Sequence, residues 1–257
     1  MKIVVLVKPT PDTEAKIDPN AGDLGLGSLK YIINPYDEYA IEQALLFKEA
    51  GKAEEVVVVS YTNPNNKDVL VKSLAMGADR AVLVKDENTG MHGDSLHVAK
   101  ILQAVVEKEA PSLVIAGKQA IDDDNMQVGV MLAGALGWAH SNVVTTADID
   151  GDHVKVSREA EGGRIEKYSL KMPAILGAHK SLNKPRFTSL PGIMKAKKKP
   201  FEELSVGDLK VQSTSQVSYT SFSAPPEKPP GKILKDIPAA EMVEQLVQYL
   251  KNDAKVL

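Results

Sequence analysis

Four short apolar runs, each followed by a stretch with helical spacing, constrain this chain more than any other feature. They are residues 3–7, the four valines 56–59, residues 80–84 and residues 112–116. Each is continuous rather than alternating and too short for a buried helix, so each reads as a strand covered on both faces. Asn34-Pro35-Tyr36-Asp37-Glu38 reads as a helix start, with Asn as N-cap, Pro at the first helical position and acids in the first turn. Ala40, Ile41, Ala44 and Leu45 then form one face, closed by Gly51. Asp68 to Met76, ended by Gly77, is a second helix; a third is capped by Asp94 or Ser95 and carries Val98, Ile101, Leu102 and Val105. Beyond the fourth strand, Met126, Val130, Met131 and Leu136 fall near helical spacing before Gly137. Such β-then-α units predict an α/β fold: three α/β/α layers around a mostly parallel sheet, with right-handed crossovers.

The pattern changes after Trp138. Val143–Ile149, Val154–Glu159, Ile165–Lys171 and Ala174–Ala178 read as extended segments with turns at Asp150-Gly151 and Gly162-Gly163, predicting hairpins that extend the sheet. Residues 18–30, with Pro19, Gly22, Gly25 and Gly27, read as an exposed loop or hairpin. Residues 180–200 lack periodicity, carry Pro185, Pro191 and Pro200, and read as a long loop. From 212 to 232 the chain is rich in Ser, Thr and Pro and cannot easily pack a core of its own. Ala239 to Leu250 then predicts an amphipathic helix with Met242, Leu246 and Leu250. The expected division is an α/β domain over 1–211, and over 212–257 an extended arm and helix lying on a partner.

Composition excludes several functions. A net charge of −3 gives no global attraction to nucleic acid or anionic membrane. The absence of cysteine removes disulfides, thiol nucleophiles and Cys-based metal sites. No apolar run approaches the roughly 18–20 residues that span a bilayer, so no membrane insertion is expected. Residues 1–8 read as a first strand rather than a signal sequence, which fits a cytosol-type protein. The histidines at 92, 97, 140, 153 and 179 show no metal-ligand spacing. No Walker A run, Gly-x-Ser-x-Gly elbow or full Gly-x-Gly-x-x-Gly occurs; Gly25-Leu26-Gly27 lacks the third glycine. Catalytic residues are therefore not expected, and no metal site either.

Two stretches remain. Gly117 to Val128 joins the fourth strand to its helix, at the sheet edge where open α/β folds bind ligands and where a helix amino terminus offers N–H groups to an anion. Asp122, Asp123 and Asp124 would repel a phosphate, so the stretch reads either as a helix cap or as a nucleotide loop in which Lys118 and backbone amides outweigh the acids. The three acids could also hold Mg²⁺, although adjacent side chains there point different ways. The second stretch, Arg186 to Lys199, sets Phe187, Leu190, Ile193 and Met194 on a Pro-bounded loop beside a lysine run. It reads either as a covered apolar loop with a solvated basic face, or as a docking loop with an apolar anchor and steering charge.

Over nearly its whole length the chain resembles the electron transfer flavoprotein β-subunit family. The resemblance is carried by Asn34-Pro35 with acids entering a helix, by residues 75–80 (Ala-Met-Gly-Ala-Asp-Arg) and by residues 117–124 (Gly-Lys-Gln-Ala-Ile-Asp-Asp-Asp). Arg158-Glu159 with Gly162-Gly163 and Pro173, residues 183–186 (Asn-Lys-Pro-Arg) and residues 190–197 (Leu-Pro-Gly-Ile-Met-Lys-Ala-Lys) follow in order. It implies an adenine nucleotide hydrolase-like fold and a heterodimer with an α subunit that carries the redox-active FAD. Such a complex is an electron carrier, not an enzyme: it takes electrons from flavin dehydrogenases, such as the acyl-CoA dehydrogenases of fatty-acid β-oxidation, and passes them to a quinone oxidoreductase. The β subunit would bind AMP structurally through Leu6, Asn34, Pro35, Tyr36, Asp37, Tyr61 and the run Gly117, Lys118, Gln119, Ala120, Ile121, Asp122, Asp123, Asp124, Asn125, Met126, Gln127 and Val128. Docking would run through residues 180–200 with Leu190 as anchor; Glu159 would hold the flavin domain, and Tyr36 would lie near the flavin. Thr13 stands where some members have a tyrosine, and Tyr61 where others have a small residue. A bifurcating branch holds a second FAD in place of AMP and tends to place Gly between two acids, so Asp123 favours AMP. A stand-alone nucleotide-binding stress-type protein is the other alternative. The resemblance implies a bacterial cytoplasm, or a mitochondrial matrix if the source is eukaryotic, although no transit peptide is recognisable.

Overall fold

The structure, a computed structural model, describes residues 1–257 except 19–20, 22–24, 87–93, 213–214, 219, 222, 224–225 and 229. Pro19, Gly22, His92, Pro225 and Pro229 therefore lie outside the described residues. Two compact units divide the chain, Met1–Phe222 and Ser223–Leu257.

The first unit opens with β1 (Lys2–Leu6), β2 (Pro9–Pro11), β3 (Tyr31–Ile33), α1 (Pro35–Glu49), β4 (Glu55–Thr62) and α2 (Lys67–Met76). It continues with β5 (Arg80–Lys85), α3 (Ser95–Glu109), β6 (Leu113–Gly117), α4 (Val128–Leu136), β7 (Ala139–Asp150), β8 (His153–Glu159) and β9 (Ile165–Lys171). β10 (Ala174–Ala178), α5 (Leu190–Ala196) and β11 (Phe201–Ser205) complete it. A nine-stranded sheet runs β11-β5-β4-β1-β6-β10-β7-β8-β9, and β2 pairs antiparallel with β3 in a separate two-stranded sheet.

β1 is central because it is apolar on both faces. It pairs in parallel with β4 and β6, with Val4 opposite Val57 and Val114. Ile3 and Val5 pack with α1 and α2 through Ile41, Leu45, Leu70 and Leu74. Val4 and Leu6 pack with α3 and α4 through Ile101, Leu102, Val105 and Leu132. The three-layer α/β/α arrangement with a mostly parallel sheet is thus observed. β7, β8 and β9 form the expected antiparallel extension.

Three elements differ from expectation. Ala174–Ala178 is not a hairpin strand: β10 returns to pair in parallel with β6 on one side and β7 on the other. Its continuous, buried Ala-Ile-Leu run fits a sheet interior, not an edge. Residues 180–200 contain α5, whose Pro191 sits in the first turn, where a proline costs no hydrogen bond. β11 was not foreseen because it alternates at a sheet edge; Glu203 on it pairs with Lys85 and Lys67.

The second unit contains α6 (Ala239–Gln248), which continues as a wider π-type turn over Tyr249–Asp253. Lys232 pairs with Asp253 and lies 4.0 Å over the Tyr249 ring. Val243, Leu246 and Val247 of α6 are exposed. Upstream, the first unit reaches past the composition break at 211: Gln216 N donates to Asp94 Oδ2 at 2.8 Å. Among the described residues no helix is long and apolar enough to cross a membrane.

Candidate functional site

The carboxyl ends of β1, β4 and β6 open onto a cavity of about 420 Å³. That is within the range of small-ligand sites, roughly 300–1,000 Å³. Leu6, Val59 and Ala116 supply its apolar floor from the three strands, and Val98 and Leu102 of α3 an apolar wall. Of the residues expected at a nucleotide, Leu6, Asn34, Asp37, Tyr61, Gly117, Lys118, Gln119, Ala120, Asp123, Asn125, Met126, Gln127 and Val128 line it. Pro35, Tyr36, Ile121, Asp122 and Asp124 are not in the lining. Tyr36 instead sits behind Lys118, whose Nζ lies 5.1 Å over its ring.

Asn34 and Asp37, at the start of α1, organise the loops around the cavity. Asp37 is buried and accepts from Lys8 N at 2.7 Å, from Gly117 N at 2.9 Å and from Asn34 Nδ2 at 2.9 Å. Asn34 Nδ2 also donates to Gln119 O at 2.9 Å, and Asn34 Oδ1 accepts from Ile121 N at 3.2 Å. Asn34 therefore occupies the N-cap position without capping: no side-chain cap bond forms, because both ends of its amide are committed to residues 117–121. Gly117 permits the closeness. A β-carbon there would fall within contact of Asp37 Oδ1 and lie 2.7 Å from Tyr36 Cβ.

Burial pushes the Asp37 carboxyl up to about 7, against the pull of those three N–H donors and of the Lys8 charge. Its folded pKa lies above the unfolded value of about 3.9. The stability it contributes is therefore fully present below about pH 4 and lost as pH rises through about 7. Comparing wild type with Asp37→Asn, the expected result is that wild type loses about 1.4 kcal/mol per pH unit relative to the variant between about pH 4 and 7. Parallel denaturation profiles across that window would contradict the assignment.

The acidic triplet does not cap α4. Asp124 and Met126 sit at φ of 52° and 57°, in the left-handed region, so the helix cannot begin until Val128, beyond reach of the acids. Gln127 holds the N-cap position with no side-chain cap bond. Its neighbours Val128 and Gly129 line the cavity, so α4 presents its positive end there. The acids are occupied elsewhere. Lys8 Nζ lies 2.8 Å from Asp122 Oδ1 and 3.1 Å from Asp123 Oδ2. Asp123 Oδ1 accepts from Asn125 N at 3.1 Å, and Asp124 accepts from the Gln119 side-chain amide. Burial raises the Asp122 pKa, opposed by Lys8. One cation thus pairs with two of the three acids, and the objection to an anionic ligand weakens. Among the described residues no group of three potential metal ligands comes together.

Tyr61 closes the side of the cavity next to β5. Its hydroxyl donates to Asp86 Oδ2 at 2.6 Å, and its ring meets His97 edge-on at 6.2 Å. Burial and the Asp86 carboxylate both raise its pKa and keep it a neutral donor. Sequence reasoning missed Lys8, the turn residues Asn63, Asn65 and Asn66, and Ser95, all of which line the cavity. Their common signal is position, since each lies just past a strand's carboxyl end or at the following helix start. Leu26 and Gly27, from the Gly-Leu-Gly run, also line it.

The docking candidates lie on and beside α5. Phe187 is 93% exposed, Leu190 78% and Met194 73%, while Ile193 is 41% exposed and Ala196 is buried in the core. Glu159 is exposed at the end of β8, where its charge opposes the lowering of the His179 pKa by burial and Lys118.

Residues 27–209 match the model of the electron transfer flavoprotein domain family. The chain is 44% identical to the electron transfer flavoprotein subunit beta of Bradyrhizobium diazoefficiens, each covered in full. It is 40% identical to the mitochondrial subunit beta of Oryza sativa subsp. indica, again with both chains covered in full. It is 38% identical to the subunit beta of Mus musculus, over all of this chain and 99% of that one.

Proposed function

We propose a function from the premise that this chain belongs to the electron transfer flavoprotein family, as a β subunit. A β subunit of that kind works with an α subunit as an electron carrier. In our reading this one binds AMP in the cavity at the ends of β1, β4 and β6, helps enclose the FAD of the α subunit, and docks flavin dehydrogenases through Leu190 on α5. The arm and α6 pack on the α subunit, and the complex delivers electrons to a quinone oxidoreductase. The same reading puts it in a bacterial cytoplasm or a mitochondrial matrix.

The observation that carries the nucleotide reading is the uncapped amino end of α4 facing the cavity while Lys8 holds the neighbouring acids. A phosphate there would accept from backbone N–H groups at the positive end of a helix. Leu6, Val59, Val98 and Leu102 offer apolar surface to a purine. Held there without turnover, AMP would stabilise the fold by mass action. FAD, when bound by the α subunit, supplies the redox chemistry. The residues of this chain supply placement: Lys118, over the Tyr36 ring, lines the cavity, and exposed apolar side chains on α5 bind a partner briefly.

The test is electron acceptance. The chain, co-expressed with its α subunit and mixed with an acyl-CoA dehydrogenase reduced by its acyl-CoA substrate, is expected to show bleaching of the complex's flavin absorbance. A flavin that stays oxidised, or a chain that purifies alone with bound ATP, would refute the reading.

A further inference from the structure

α5 has seven residues, too few to hold a helical conformation alone. Its placement must come from packing, and the packing is specific at both ends of the segment. At the start, Asn183 Nδ2 donates to Tyr39 O at 2.9 Å, and the Arg186 guanidinium forks onto Glu42 at 2.8 and 2.9 Å and Glu49 at 2.6 Å, all on α1. At the far end, Lys199 Nζ donates to Leu74 O at 3.0 Å and Ala78 O at 2.6 Å. These are carbonyls at the carboxyl end of α2, where a cation is favoured. Between these ties α5 lies directly on α2. A β-carbon at Gly192 would stand 2.6 Å from the Ala75 carbonyl oxygen, so only glycine allows this approach. Ala196 is buried on that side, while Leu190 and Met194, one turn apart, face outward.

We infer that Gly192 and Lys199 are positioning residues: they fix α5 on the end of α2, so that Leu190 and Met194 are presented to a partner in one preset arrangement. This rests on the docking reading of Leu190. It adds that the anchor is held in place before the partner arrives, so less order remains to be gained on binding.

The experiment uses the purified heterodimer with a reduced acyl-CoA dehydrogenase. Gly192→Ala is expected to raise KM for the dehydrogenase about threefold to tenfold, with kcat and flavin content unchanged. Amide exchange of Ile193 to Ala196 should accelerate at least about tenfold. Lys199→Met, which removes the tie without touching α5, should shift KM and exchange the same way, and serves if Gly192→Ala folds poorly. Gly207→Ala, at an exposed position where a β-carbon meets only ordinary contact, should behave as wild type. The deciding comparison is the double variant: in a Leu190→Ala background, Gly192→Ala or Lys199→Met should raise KM by clearly less than in the wild-type background, since only Met194 remains to be positioned. A full additional rise there, or accelerated exchange with an unchanged KM, would overturn the positioning role. Should Leu190→Ala alone leave KM unchanged, the docking reading falls and the positioning role falls with it.

Discussion

Gly117→Ala is expected to empty the nucleotide site of the purified complex. The new β-carbon would lie 2.7 and 2.8 Å from Tyr36 Cβ and C and inside contact range of Asp37 Oδ1. Tyr36 and Asp37 sit in the first turn of α1 and cannot retreat without moving the helix. Overpacking of this kind costs about 1–3 kcal/mol. The displaced Asp37 carboxyl would also give up its bond to Gly117 N, a further loss of about 0.5–1.5 kcal/mol. Asn34 donates to the same carboxyl and in turn holds Gln119 O and Ile121 N, so the cavity wall shifts as a unit. We expect the affinity for AMP to fall by about 100-fold or more, since each 1.4 kcal/mol is a factor of about ten. The bound nucleotide should be lost on gel filtration and the thermal midpoint should drop. Nucleotide retained at wild-type occupancy would contradict the role given to Gly117.

Leu190→Ala is expected to act in the opposite way, on docking and not on the fold. Leu190 is 78% exposed, so its truncation should change stability by less than about 0.5 kcal/mol. Burial of a leucine in a partner's pocket is worth about 1.5–3 kcal/mol. Losing it should raise KM for the dehydrogenase by about one to two orders of magnitude, with flavin content and subunit assembly unchanged. Stopped-flow mixing of the variant complex with a reduced acyl-CoA dehydrogenase reads this directly. Wild-type transfer kinetics would refute the anchor role.

What could be read in advance follows from how strongly each residue's own chemistry fixes its place. Ile3 to Val7 and Val56 to Val59 are apolar on both faces and had no stable home outside a buried parallel sheet. Ala174 to Ala178 carried the same signal, but the turns before it suggested a hairpin; only the pairing of β10 with both β6 and β7 resolves its neighbours. Pro191, with Pro185 and Pro200, reads as the mark of a long loop. It is instead a first-turn proline, and Gly192 beside it packs closely on α2, which supplies the surface that a seven-residue helix lacks. At the site, the position of Gly117 to Val128 after a strand was legible, and so was its conflict of charge. The resolution lay in Lys8, more than a hundred positions away and brought to Asp122 and Asp123 by the parallel pairing of β1 with β6. Asn34 misled for a related reason: its residue type and position fit a cap, but its amide serves a loop that only the folded sheet brings near.

We propose that the cavity beside α4 holds an adenylate while the flavin belongs to the sister subunit. Denaturing the purified heterodimer and quantifying the released nucleotides by chromatography and mass decides it. One FAD and one AMP per complex are expected. Two FAD, or one FAD with no adenine nucleotide, would contradict it.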